Sequence, residues 1–118
     1  MNLIELKEQI PDFAKDVKLN LSSLVAANDT GGLSVAQVAG ITLACAYATK
    51  HRLLIEAAEH QVGAVLDAIH INAAKSAASI MAMNNIYYRF IHLVSDSEFG
   101  KLPAKLRMNV LGSPGIDK

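Results

Sequence analysis

One long helical stretch limits this chain's fold more than any other feature. The segment INAAKSAASIMAMNNIYYRFIHLV follows Asp67, a good N-cap residue, and keeps a helical character to about Val94. At 1.5 Å per residue, a helix from Asp67 to Val94 spans roughly 40 Å, more than the ~30 Å of a small domain. Such a helix must either bend near Asn84-Asn85 or project and pack on another subunit.

The rest of the chain is also patterned for helices. Leu3 to Ile10 reads as a short helix stopped by Pro11, and Asp12 opens a second one. Phe13, Val17, Leu21 and Leu24 then recur at helical spacing and define one apolar face. Asn28-Asp29-Thr30-Gly31-Gly32 is the clearest loop, rich in residues that tolerate positive φ. Ser34 with Gln37 three residues on makes a capping box for a third helix, to about Thr49. Val35, Val38, Ile41, Leu43, Cys45 and Tyr47 surround that helix, a pattern expected of one buried on all sides. A fourth runs from His51 to about Val62 and ends at Gly63. After Val94 a weak helical stretch covers Pro103 to Val110, followed by a Ser113-Pro114-Gly115 turn. Ile116-Asp117-Lys118 then reads as a cap introducing a further helix, so the chain looks cut rather than finished. No period-two alternation bounded by turns survives, so the expected fold is all-α: one domain over residues 1–118, five to six helices in an orthogonal or bundled packing.

Composition narrows the classes of function. A chain of 118 residues buries roughly two-thirds of its unfolded surface, enough for one core. It has one cysteine, so no internal disulfide framework exists. Basic and acidic residues balance at 11 each, which marks neither nucleic acid nor an anionic membrane as a partner. Charged residues make up 19%, below the ~25% usual for soluble domains, so part of the surface is expected to be apolar and to favour self-association. No apolar run reaches the ~20 residues of a membrane span, and the N-terminus has no basic region before an apolar core. A cytoplasmic protein is the expectation.

Little in these residues carries chemistry. Cys45 lies mid-helix among apolar neighbours and reads as a small buried hydrophobe; a one-cysteine peroxidase is the reactive alternative. His51, His60, His70 and His92 are scattered, and Glu56 with His60 lacks the second histidine of a helix-borne zinc motif. Glycine-rich phosphate loops, serine elbows and CxxC pairs are absent from the 118 residues, and no cofactor is implied. Asn84, Asn85, Tyr87, Tyr88 and Arg89 form the densest polar and aromatic group, read as a helix-packing or subunit-interface network.

Three stretches add a resemblance. ELKEQIPDFAKDVKLNLSSL (Glu5 to Leu24), NAAKSAASIMAMNNIYYRF (Asn72 to Phe90) and LPAKLRMNVLGSPGIDK (Leu102 to Lys118) resemble, in order, the alkyl hydroperoxide reductase AhpD family of the carboxymuconolactone decarboxylase-like superfamily. Leu33 to Lys50 matches more loosely. The resemblance implies an all-helical, typically trimeric, thiol-dependent antioxidant peroxidase. In that family a CxxC dithiol, aided by a glutamate and two histidines, reduces alkyl hydroperoxides or regenerates the peroxiredoxin AhpC. A lipoylated dehydrogenase component returns the electrons.

The resemblance places those catalytic residues beyond Lys118, so it transfers none to this chain. It transfers structural or interface positions instead: Asn84, Asn85, Tyr88 and Arg89 on the long helix, and Arg107 in Leu106-Arg107-Met108-Asn109. By this reading the chain is the N-terminal part of such an enzyme and inactive alone, with Ile41, Cys45 and Ile80 left uncovered. The alternative is a non-catalytic helical oligomerisation or binding module.

Overall fold

A computed structural model describes residues 1–25 and 30–117. It contains α1 (Leu3–Lys7), a 3-10 turn at Asp12–Ala14, α2 (Lys15–Val25), α3 (Val35–Thr49), α4 (Arg52–Val62), α5 (Ala68–Val94), α6 (Ser97–Lys101) and α7 (Asn109–Gly112), with no strand among the described residues. The all-α expectation holds. Among the described residues there are seven helices rather than five or six, because α6 and α7 are single turns that sequence patterns resolve poorly.

The helix starts follow local chemistry. Ser34 and Gln37 form the expected capping box: the Gln37 N–H donates to Ser34 Oγ at 3.2 Å and the Ser34 N–H to Gln37 Oε1 at 2.8 Å. Asn2 and Glu5 make a second box that the sequence reading missed. Asp67 caps α5 by accepting the His70 N–H at 2.9 Å. The α3–α4 turn uses Lys50 at φ 57°, where its N–H donates to the Tyr47 carbonyl. Gly31 and Gly32 have positive φ, as the expected loop requires, whereas Asn28 and Asp29 lie outside the described residues.

Other boundaries differ. Helix α1 stops at Lys7, before the expected Ile10, and Pro11 leads into the 3-10 turn. Pro103 to Met108 is not helical, Lys105 taking a left-handed φ of 52° that a helix interior does not admit; a helical turn forms only at Asn109–Gly112. The expected cap at Asp117-Lys118 extends onto Lys118, outside the described residues.

The core is small. Ala39, Leu43 and Ala46 form one stripe on α3, and against it lie Ala57, Ala58 and Val62 of α4, Leu66, and Ala74 of α5, with Leu3 of α1 closing one end. The main pairings are α3 with α5 and α3 with α4, while α1 packs on α4 and α2. Helix α3 is therefore not buried on all sides as expected: Val35, Ile41 and Cys45 face outward, because α4 and α5 cover only the Ala39–Leu43–Ala46 stripe. The α2 stripe is likewise uncovered, with Phe13 93% exposed and Val17 and Leu24 also exposed.

Helix α5 stays continuous through Asn84-Asn85, with no Gly or Pro to break it. Of the two outcomes posed by its length, the helix projects. Its buried residues, Ala73 and Ala74, lie in its first third. The radius of gyration is 17.1 Å, against about 13.5 Å for a compact domain of this length. The accessible surface is 8621 Å², about 2,400 Å² more than a compact monomer of this mass presents.

Candidate functional site

The C-terminal half of α5 carries the residues singled out by sequence. Helical spacing brings Asn84, Asn85, Tyr88 and Arg89 onto one shallow surface, which Met81 and His92 complete. Those two were missed, although their places in the same helical register were the signal that would have found them. The surface is a groove lining and not a buried network: Asn85, Tyr88 and Arg89 are exposed. Tyr87 lies edge-on to Tyr88, with ring centroids 5.1 Å apart. Arg107 sits apart, exposed in the irregular segment between α6 and α7.

Asn84 stands out electrostatically. Its Oδ1 is buried within the chain and accepts no hydrogen bond, a state that costs free energy until a donor arrives. On another face of the same half-helix Ile86, Phe90 and Leu93 are also exposed, Ile86 at 75%, with the Phe90 ring edge-on to Phe99 of α6 at 5.9 Å. An exposed Tyr, Arg and Met surface has the residue make-up of an interface.

A second depression lies where α5 begins. Asp67, Ile69 and His70 face Gly112 to Asp117 across it. Gly115, at φ 84°, lets the C-terminal segment approach Ile69; a Cβ there would meet Ile69 Cγ2 at 3.3 Å. Asp67 Oδ1 lies 2.8 Å from His70 Nδ1. The His70 backbone N–H, and then its imidazole, hold the Asp67 carboxyl below its usual value.

The other candidates do not converge. Cys45 is exposed, pointing away from the stripe that α4 and α5 cover; this corrects its reading as a buried hydrophobe and agrees with the expectation that it is left uncovered with Ile41, which is exposed, whereas Ile80 is half-buried. Glu56 pairs with Arg52 at 2.7 Å rather than with His60. No group of three or more potential metal ligands occurs among the described residues, and none of the described helices is long and apolar enough to cross a membrane. One polar cluster escaped the sequence reading: the Tyr47 hydroxyl donates to Glu59 Oε1 at 2.6 Å, and Lys75 Nζ lies 2.8 Å from the same oxygen, joining α3, α4 and α5. Its members are spread along the sequence, and only the packing brings them together.

No family model matches the chain. Curated relatives do, and each of those that follow bears the name alkyl hydroperoxide reductase AhpD. The Coxiella burnetii protein is 55% identical over 112 residues, 95% of this chain and 63% of the relative. That of Bradyrhizobium is 53% identical over 118 residues, 100% of this chain and 64% of the relative. That of Rhizorhabdus wittichii is 48% identical over 118 residues, 100% of this chain and 66% of the relative. The chain thus spans a little under two-thirds of these relatives' length. Identity at this level over 95% or more of its residues places the chain in the alkyl hydroperoxide reductase AhpD family.

Proposed function

We propose that this chain is the N-terminal helical part of an AhpD-type antioxidant enzyme, supplying scaffold and subunit contacts while the thiol chemistry resides in residues outside these 118. The observation that carries the reading is identity of 48–55% to relatives named AhpD, over nearly the whole chain. In the complete cycle a dithiol reduces an alkyl hydroperoxide to an alcohol and water and becomes a disulfide. Dihydrolipoyl groups on a dehydrogenase component then restore it, either for that reaction or for regenerating the peroxiredoxin AhpC. With Cys45 as its one cysteine, the 118-residue chain cannot form such a disulfide internally, so it is inactive alone.

The uncovered surface supports the assembly half of this reading. Its excess of about 2,400 Å² is well above the ~800 Å² that each partner buries in a standard protein interface. In the working enzyme, a cytoplasmic homotrimer, Asn84, Asn85, Tyr88 and Arg89 serve as interface positions, and Arg107 has a structural role beside the active half.

The test is turnover of dihydrolipoamide with an alkyl hydroperoxide by the purified chain. No peroxide-dependent oxidation above background is expected, and catalytic turnover would overturn the proposal. The same exposed faces favour a second reading, a helical oligomerisation module without chemistry. A discrete assembly on sedimentation, with no activity restored by the remaining third of an AhpD protein added in trans, supports it. A monomer or a heterogeneous aggregate counts against it.

A further inference from the structure

The Tyr47–Glu59–Lys75 cluster has a role that packing alone does not supply. Helix α4 fully buries Ala57, Ala58 and Val62 and packs Leu54 and Ile55 only partly buried against the core, so none of its large side chains is fully enclosed. Its closest helix partners are α3 and α1, not α5. Glu59 makes up the difference. Its Oε1 accepts the Tyr47 hydroxyl from α3 at 2.6 Å and lies 2.8 Å from Lys75 Nζ of α5. The Lys75 ammonium also sits 5.2 Å from the centroid of the Tyr47 ring. The three side chains thus close a ring around one carboxylate.

We propose that α4 is a separately opening segment held shut by this clasp, which loosens when the Glu59 carboxylate is neutralised. Lys75 and then the Tyr47 hydroxyl, by hydrogen bonding, hold the Glu59 carboxyl below its usual 4.5, and the Glu59 hydrogen bond holds the Lys75 ammonium above its usual 10.5. A lowered carboxyl value means that its contribution is complete above pH 4.5 and fades as pH falls through the folded-state value. The raised ammonium contributes fully below 10.5 and fades above it, so the clasp is closed between these limits. The other elements packed on α4 leave Glu59 to these partners. From α1 the approach is an uncharged hydrogen bond, the Leu3 N–H to Gln61 Oε1 at 3.2 Å, and on α4 itself Glu56 is occupied by Arg52 while His60 is exposed.

The experiment is amide hydrogen exchange on the full chain, resolved by helix and corrected for intrinsic pH dependence, in the native protein and in Glu59→Gln and Lys75→Gln. Tyr47→Phe, which removes one hydroxyl, serves where a charge variant fails to fold. The pair is partly solvated, so protection of α4 is expected to fall about two- to fivefold relative to α3 and α5. Between pH 6 and pH 3.5 the native α4 loses relative protection, whereas Glu59→Gln shows no such pH trend. Unchanged protection of α4, equal losses across all three helices, or a native-like pH trend in Glu59→Gln would each overturn the proposal.

Discussion

The two halves of α5 differ sharply in how much of them is covered. Near its start, Ala73 and Ala74 are buried beside α3, whereas no described residue from Lys75 onward is buried. Both halves are apolar and both are good helix, so composition does not separate them. The difference is coverage: α3 and its neighbours reach only the first third, and the rest presents Ile86, Phe90 and Leu93 to the outside. Long helices in a short chain therefore mark where a fold expects further partners.

Substitutions should expose this asymmetry. Leu43, with 0% exposure, is the anchor of the covered region, and Leu43→Ala is expected to cost about 2–5 kcal/mol in chemical denaturation of the chain. A cost below that of an exposed site would mean the core is not where the packing places it. Ser34→Ala removes one half of the α3 capping box and is expected to cost about 1 kcal/mol by the same measurement. In the uncovered region, Ile86→Ser, at a site 75% exposed, is expected to stay within about 0.5 kcal/mol for the isolated chain while weakening self-association measured by sedimentation. Asn84→Leu removes an unsatisfied buried oxygen, so the chain alone should be unaffected or stabilised, whereas an assembly that supplies a donor to Asn84 should lose stability.

The smallest effect belongs to the start of α5. Because the Asp67 carboxyl is held below 3.8 by His70, its capping contribution is complete above that value and fades as pH falls through the folded-state value. Exchange at the first turn of α5 should quicken over that acid range, and in Asp67→Asn this trend should vanish.

The legibility of this fold followed the range of the interactions. Caps at Ser34 and Asp67 were readable because donor and acceptor lie within three residues, and the span of α5 because nothing interrupts its periodicity. The surface at Asn84, Asn85, Tyr88 and Arg89 was readable because one helix carries it whole. Cys45 was misjudged because an apolar neighbourhood in sequence says nothing about which face a neighbouring helix covers.

By itself, the sequence determined the helical class, the principal helix starts, the lack of an internal dithiol and the family. Tertiary structure alone decided which side of α3 is covered, that α5 runs unbroken past the core, and that Tyr47, Glu59 and Lys75 meet. The physical reason is that hydrogen bonding within a helix is local, whereas burial and cross-helix ion pairing depend on where distant segments come to rest.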